Sequence, residues 1–293
     1  MVLRWAVSLK KSELLSHFEL LFRNALSCLP NEVFTKQALF HFRDDSLASV
    51  VGQLLIRSAI VHETNCRWED VLITKGHRGK PMSAVAQAAQ LDFNISHQGD
   101  YVVLATSRSA SIGVDVMRVN EERDRNSLEH IERMSKLFTD RELNYMKSNS
   151  TDQERWQAFY RIWCLKESVL KATGTGLVDN LRNFSFKVEE SEKFEPGCSI
   201  TTTQFYEKDV HQENWLFEES FVDNEHCVAV GRLFNDTKTM LESKESLKQK
   251  FVRFEIKSLE ELLSRSTSLH DTSEDDITEE YSRFIRKPCK NKQ

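Results

Sequence analysis

The feature that most constrains this chain is the order in which its hydrophobic periods change. Apolar residues recur at helical spacing through about 12–27, 31–42 and SLASVVGQLLIRSAIVHE, and strand-like segments then follow at 91–95, 101–107 and 111–117. The same succession comes a second time: a helical stretch at 152–173 leads into strand-like segments at 182–188, 199–206, 214–220 and 226–233. Shorter strand patterns stand at Leu3–Leu9 and Val71–Thr74. Helices running into neighbouring strands, twice over, predict an α+β fold of two similar halves.

Local signals sharpen these boundaries. Asp44 or Asp45 is placed to cap the first long helix. Thr139-Asp-Arg-Glu142 and Thr151-Asp-Gln-Glu154 both have capping-box spacing, and Gly174 and Gly176 stop the helix that the second one opens. The polar run NEERDRNS (120–127) marks the division, giving an N-terminal half at 1–119 and a C-terminal half at 120–235. Residues 236–293 form an extension, with a charged helical stretch at 239–250 and a strand at 251–256. Its segment SRSTSLHDTSEDDITEE is acidic and lacks aromatics, so the extension is expected to be partly disordered and a chain cut near 258 to stay soluble.

With 40% hydrophobic and 29% charged residues, the 293-residue chain has the composition of a soluble globular protein. A net charge of −5 gives no overall attraction to nucleic acid or anionic membrane, so any anion must be held by a local basic cluster. The first residues lack a signal-peptide run, no 18-residue apolar span occurs, and the six cysteines show no metal-finger spacing. These features predict a cytosolic protein with free thiols.

Four stretches carry chemistry. In FNISHQGDYVVLAT (93–106), Gly99–Asp100 suffices for a hairpin turn, yet a Ser–His pair stands just before it. In SIGVDVM (111–117), strand alternation puts Val114 and Val116 on one face and Gly113, Asp115 and Met117 on the other. Asp115 is then either a strand-end turn or ion-pair residue, or a metal-binding or catalytic acid. In WCLKESVLKATGTG (163–176), Glu167 and Lys171 share a helix face that Lys166 does not; alone, they read as a solvated pair. KGHRGKP (75–81) is a basic, glycine-containing turn, able to approach a phosphate or simply to lie on the surface. No Walker loop is present, and ATGTG follows a helix rather than a strand, which excludes a dinucleotide fingerprint.

The order basic GxxGKP loop, FNISHQG, GVDV and WxxKESxxK resembles the 4′-phosphopantetheinyl transferases of the surfactin-synthetase type, most closely their eukaryotic aminoadipate-semialdehyde dehydrogenase branch. The resemblance covers about residues 1–235 and implies two pseudo-twofold-related α+β halves with the active site between them. It further implies Mg²⁺-dependent transfer of phosphopantetheine from coenzyme A to a serine of apo acyl carrier protein domains, such as those of fatty-acid synthase or aminoadipate-semialdehyde dehydrogenase. A monomer is implied, with neither nucleic acid nor membrane as partner; the alternative is a non-catalytic module of the same fold that binds coenzyme A or the carrier. By the same resemblance, Lys36 and the loop Lys75, Gly76, His77, Arg78, Gly79 and Lys80 hold the 3′-phosphate and adenine end, while Asn94, Ile95, Ser96 and His97 line the cofactor site. Asp115 and Glu167 are the implied metal ligands, Glu167 or a water it orients the base, and Lys171 the phosphate clamp. Many bacterial relatives carry a second acid two residues after the aspartate; here that position is Met117, which offers Mg²⁺ no oxygen. The segment 118–145 is the expected carrier-docking region.

Overall fold

The computed structural model describes residues 2–119, 126–176, 181–189, 191–247, 252–269 and 273–290, and within them a strand, a long helix and a hairpin occur twice in the same arrangement. In the first unit β1 (Leu3–Ser8) leads through the short helices α1 (Leu9–Glu13), α2 (Phe18–Ser27) and α3 (Asn31–Lys36) into α4 (Arg43–Thr64). A small ribbon of β2 (Thr74–Lys75) and β3 (Pro81–Met82), then α5 (Ala84–Ala88), precede the hairpin of β4 (Asp92–Gln98) and β5 (Tyr101–Ser107). β5 lies between β1 and β4, antiparallel to both.

The second unit begins with β6 (Ala110–Arg118), followed by α6 (Ser127–Arg133), α7 (Asp140–Lys147) and α8 (Asp152–Thr173). A separate antiparallel sheet of β7 (Phe184–Lys187), β8 (Gln204–Glu207) and β9 (Val210–His211) comes before the hairpin of β10 (Trp215–Phe221) and β11 (His226–Phe234). β11 lies between β10 and β6, so β6 holds the place of β1, and α8, like α4, is 22 residues long. Pairing of β6 with β11 runs from Ala110↔Phe234 to Arg118↔His226. The division at residue 120 expected from the sequence therefore falls one strand late, and the units part at the turn after β5. Residues 120–125 of the polar run lie outside the described residues.

Alternation along the strands stacks the layers. Trp5, Val7, Val102 and Leu104 face α4 in one core, while Ala6, Val103 and Ala105 meet Ile112, Val114, Val116, Val228 and Val230 in a second core between the sheets. Each such fully buried valine contributes about 1.5–3 kcal/mol. Cys227 and Ala229 point the other way, into a third core beneath α8. The face of β6 opposite Val114 and Val116 thus looks at α8, and Asp115 is on it.

Helices α7 and α8 open with the two expected capping boxes, Thr139 with Glu142 and Thr151 with Glu154. Neither Asp44 nor Asp45 caps α4, whose N-cap is Phe42, two and three residues before them; both aspartates sit in its first turn, where the helix dipole favours negative charge.

The extension departs most from expectation. After α9 (Thr237–Leu247), β12 (Glu255–Ile256) pairs in parallel with the outer edge of β1, and α10 (Leu259–Leu263) and α11 (Glu274–Arg286) pack on the first unit. Phe284 is fully buried, its ring 4.3 Å from that of Phe22. The expected disorder is corrected for the described residues: Ser273 caps α11, and Ile277, Tyr281 and Phe284 form a helical stripe that the acidic composition of the segment conceals. Among the described residues no helix is long and apolar enough to cross a membrane.

Candidate active site

The polar residues of FNISHQG first serve a seam between the two sheets. On β4, Asp92 Oδ2 accepts the amide of Ile112 (2.8 Å), Asn94 Oδ1 that of Val114 (3.0 Å) and Gln98 Oε1 that of Arg118 (2.5 Å). These amides point away from β11, and side chains rather than a neighbouring backbone satisfy them. The period-two pattern Asp92, Asn94, Ser96, Gln98 is the sequence signature of this seam; of the four, the sequence reading takes only Asn94 and Ser96, and takes them as cofactor-site residues. The hairpin beyond it turns on Gly99 (φ +59°), with Gln98 paired to Tyr101.

Ser96, the third member of the pattern, turns instead to the acid. Its hydroxyl donates to Asp115 Oδ1 (2.8 Å) and accepts from Lys171 Nζ (2.8 Å), which also reaches the same carboxylate oxygen at 2.6 Å. Asp115 is 5% exposed, and its Oδ2 is buried without a hydrogen-bond partner. What brings Lys171 and Glu167 over this strand is a pair of glycines in register, Gly113 on β6 and Gly231 on β11. A Cβ on Gly113 would stand 2.0 Å from the Ser168 carbonyl oxygen and one on Gly231 2.8 Å from Ser168 Oγ, so the helix backbone rests directly on the sheet. Lys166, one residue before Glu167, points elsewhere: it is buried, pairs with Glu142 at 3.0 Å and donates to the Leu181 and Phe184 carbonyls, fixing the rotation of α8.

Burial pushes the Glu167 carboxyl above its ordinary value, the Asp115 carboxylate pushes it further, and Lys171 only partly opposes them. A carboxyl held above its ordinary pKa beside a second carboxylate with a buried, unpartnered oxygen is a donor set for a hard divalent cation, and oxygen ligands suit Mg²⁺. Asp115 and Glu167 would hold it. Met117 packs into the third core, and among the described residues no cluster of three or more potential metal-ligating side chains occurs, so phosphate or water oxygens would complete the shell.

The basic loop closes over this centre. Gly76 N–H donates to the Lys80 carbonyl (2.8 Å), and Arg78 and Gly79 both have positive φ (+51° and +86°). Lys80 Nζ reaches Asp92 at 3.0 Å and the Ala172 carbonyl at 3.4 Å, tying the loop to β4 and to the end of α8. Two chambers result. The smaller, about 300 Å³, is lined by Arg78, Lys80, Asn94, Glu167 and Lys171, with Gly174 and Gly176 beneath the loop. The larger, about 750 Å³, is lined by Lys36, Lys75, Arg57 and His97 among others, and shares the wall Gly79, Pro81, Ile95 with the first.

The structure thus brings Lys36, Lys75, Arg78, Gly79, Lys80, Asn94, Ile95, His97, Glu167 and Lys171 to one cleft, with Ser96 bonded to Asp115 at its inner end. Gly76 shapes the turn without lining either chamber; the side chain of His77 lies outside the described residues. Desolvation disfavours the cationic form of His97, with Asp45 opposing that effect and Lys171 and Lys290 adding to it. Sequence reasoning passed over Arg57, which is 2% exposed, donates to the Trp68 carbonyl and leaves Nε without a partner; burial lowers its pKa to about 10. Its signal was a lone cation inside the apolar run GQLLIRSAI. Gly174 and Gly176 were read only as a helix stop, and their φ of +67° and +63° fits that; a Cβ on Gly176 would also lie 2.9 Å from Arg78 Cδ.

Comparison with known proteins matches this architecture in two parts. Residues 18–109 match the family model described as 4′-phosphopantetheinyl transferase, N-terminal, and residues 111–231 that of the 4′-phosphopantetheinyl transferase superfamily. The boundary between the matches coincides with the start of β6. The L-aminoadipate-semialdehyde dehydrogenase-phosphopantetheinyl transferase of Xenopus laevis is 34% identical over 206 residues, covering 69% of this chain and 68% of the frog protein. The Rattus norvegicus protein of the same name is 32% identical over 194 residues, 65% of this chain and 62% of its own length, so the match spans slightly less than two thirds of it. The 4′-phosphopantetheinyl transferase gsp of Aneurinibacillus migulanus is 26% identical over 183 residues, covering 62% of this chain and 68% of its own length. Two matched units meeting at β6, and a relative of this identity and coverage, make the chain a member of the 4′-phosphopantetheinyl transferase superfamily.

Proposed function

We propose that this protein transfers 4′-phosphopantetheine from coenzyme A to a serine of an apo carrier protein domain and releases adenosine 3′,5′-bisphosphate. The observation that carries this reading is the convergence of Asp115, Glu167 and Lys171 at the inner end of a two-chambered basic cleft. The larger chamber, with Lys36, Lys75 and Arg57, suits the adenosine and 3′-phosphate; the smaller, with Arg78, Lys80 and Lys171, suits the pyrophosphate. Mg²⁺ held by Asp115 and Glu167 would offset the charge that develops on the phosphate oxygens.

The chain's own groups account for the rest of the step. The carrier serine Oγ bonds to the phosphorus that bears pantetheine, and the bond from that phosphorus to the bridging oxygen breaks, leaving the oxygen on adenosine 3′,5′-bisphosphate. Glu167 Oε, whose raised pKa makes it a stronger base than an ordinary carboxylate, takes the serine proton directly or through a water. Lys171 Nζ, already 2.6 Å from Asp115, donates to the departing phosphate as its charge grows. The names of the frog and rat relatives support carrier domains of the aminoadipate-semialdehyde dehydrogenase type; the carrier domain of fatty-acid synthase is a further proposed substrate. A module that merely bound coenzyme A would need the basic chambers but not a buried aspartate oxygen without a partner, which costs stability when no cation is present.

Nucleotide selection tests this reading. Calorimetric titration should show adenosine 3′,5′-bisphosphate binding at least about tenfold more tightly than ATP, a difference of about 1.4 kcal/mol, and Mg²⁺ should tighten coenzyme A. Preference for ATP would contradict the assignment of the chambers.

A further inference from the structure

The end of the chain returns to the rim of the larger chamber, although it lies outside both regions matched by the family models. The Arg43 amide donates to the Pro288 carbonyl (2.9 Å), Lys287 Nζ donates to the Phe40 carbonyl (2.8 Å), and Arg43 Nη2 approaches Cys289 Sγ (3.1 Å). The last described residue of the strap is Lys290. Its backbone N–H donates to Asp44 Oδ2 (2.7 Å), its Nζ pairs with Asp45 Oδ1 (2.5 Å), and the same ammonium lies 5.7 Å from the Phe42 ring centre.

Asp45 is the residue that gives this strap a purpose. Its carboxylate lines the larger chamber together with Lys36, Lys75, Arg57 and His97, and an uncompensated negative charge there would repel a phosphate that those cations attract. Among the described residues Lys290 is the cation within ion-pair distance of it, and the charges of both residues act on His97. Because Asp45 and Lys290 side chains are 28% and 49% exposed, the pair can be opened without unfolding its surroundings.

We propose that Lys290 is a positioning residue that masks Asp45 and thereby sets the affinity of the larger chamber for the 3′-phosphate of coenzyme A. The proposal rests on the function inferred above and adds a specificity determinant from the C-terminal extension. Lys290 acts through Asp45, so its effect depends on two things: a 3′-phosphate on the ligand and a carboxylate at position 45.

The test is a calorimetric comparison of coenzyme A with 3′-dephospho-coenzyme A on full-length wild type, Lys290→Ala and Lys290→Ala/Asp45→Asn. Lys290→Ala should weaken coenzyme A about fivefold, the size of one solvent-screened contact between like charges. It should leave the dephospho ligand within about twofold of wild type, because that ligand lacks the repelled group. The double variant should recover most of the lost affinity for coenzyme A, a rescue that a purely structural strap would not produce. Unchanged affinity in Lys290→Ala, equal weakening of both ligands, or a double variant as weak as the single one would each overturn the role of Lys290 while leaving the transferase reading intact. A wild type that binds neither ligand would overturn the transferase reading itself, and this inference with it.

Discussion

Glu167 sits between two opposing demands. Burial and the Asp115 carboxylate raise its pKa, so in the metal-free fold its ionised form is disfavoured, yet a metal ligand or base must ionise. In the unfolded chain it loses its proton at its ordinary value of 4.5, and in the folded chain only at higher pH. The folded state therefore binds more protons between these two values, and stability falls as pH rises through that window. Above the folded value the whole cost is present. Glu167→Gln removes it, so metal-free Glu167→Gln should melt above the wild type at pH 7.5, with the gap closing toward pH 4. Added Mg²⁺ should raise the melting temperature of the wild type but not of the variant, and transfer should fall at least about 100-fold, as for loss of a principal electrostatic group. Scanning calorimetry across pH checks this, and a variant less stable than wild type at pH 7.5 would contradict it. At this scale residue type and period placed Asp115 inside an apolar strand and Glu167 four residues before Lys171, but they left the aspartate open and gave the pair as solvated; only the resemblance joined the three into one candidate site. Arg57 and the unpartnered oxygen of Asp115 could not be read that way, since both depend on what the surrounding elements leave unpaired.

The elements explain why those three side chains meet. Helix α8 can rest on β6 only because Gly113 and Gly231 face each other beneath Ser168. A methyl group at 113 meets the backbone of the helix, which cannot rotate aside, whereas one at 231 first meets the Ser168 hydroxyl and the Phe217 ring. Gly113→Ala should therefore cost more than Gly231→Ala, at least about 1–3 kcal/mol as overpacking, and should lower transfer by shifting Glu167 and Lys171 relative to Asp115. Chemical denaturation of the two variants gives the ranking, and an unperturbed Gly113→Ala would refute the close approach. Both capping boxes were legible because each is local to four residues. The seam was not: Asp92, Asn94 and Gln98 bond to amides 20 residues away, and nothing within β4 names that partner. The start of α4 was misplaced for a related reason, since Asp44 and Asp45 satisfy the helix dipole from inside the first turn, and their side chains are taken by Lys290.

Across the whole molecule, the repeated strand, helix and hairpin set the candidate active site where the two units touch, with β4 contributing Ser96 and the second unit contributing Asp115, Glu167 and Lys171. The two halves were visible in the sequence as a repeated change of hydrophobic period; the assignment of β6 to the second half was not, because strand pairing depends on contacts more than 100 residues apart (Val114↔Val230). The extension was misjudged because its average composition hides the phase of Ile277, Tyr281 and Phe284. Leu259, Leu262, Ile277 and Phe284 are all buried in the first core, and at about 1.5–3 kcal/mol each their loss rivals the whole stability of a typical domain. A chain ending at residue 258 should accordingly fail to accumulate as soluble folded protein, and a cooperative, unchanged melting curve for it would contradict the packing of α10 and α11. The central claim, that Asp115, Glu167 and Lys171 form a phosphopantetheinyl transfer site, is tested most directly by mass spectrometry of an apo acyl carrier protein incubated with this protein, coenzyme A and Mg²⁺. The account predicts a mass gain of one phosphopantetheine on the carrier serine, abolished by EDTA and absent with Asp115→Ala. An unmodified carrier from an intact protein that binds coenzyme A, across carriers of both the fatty-acid synthase and aminoadipate-semialdehyde dehydrogenase types, would contradict it.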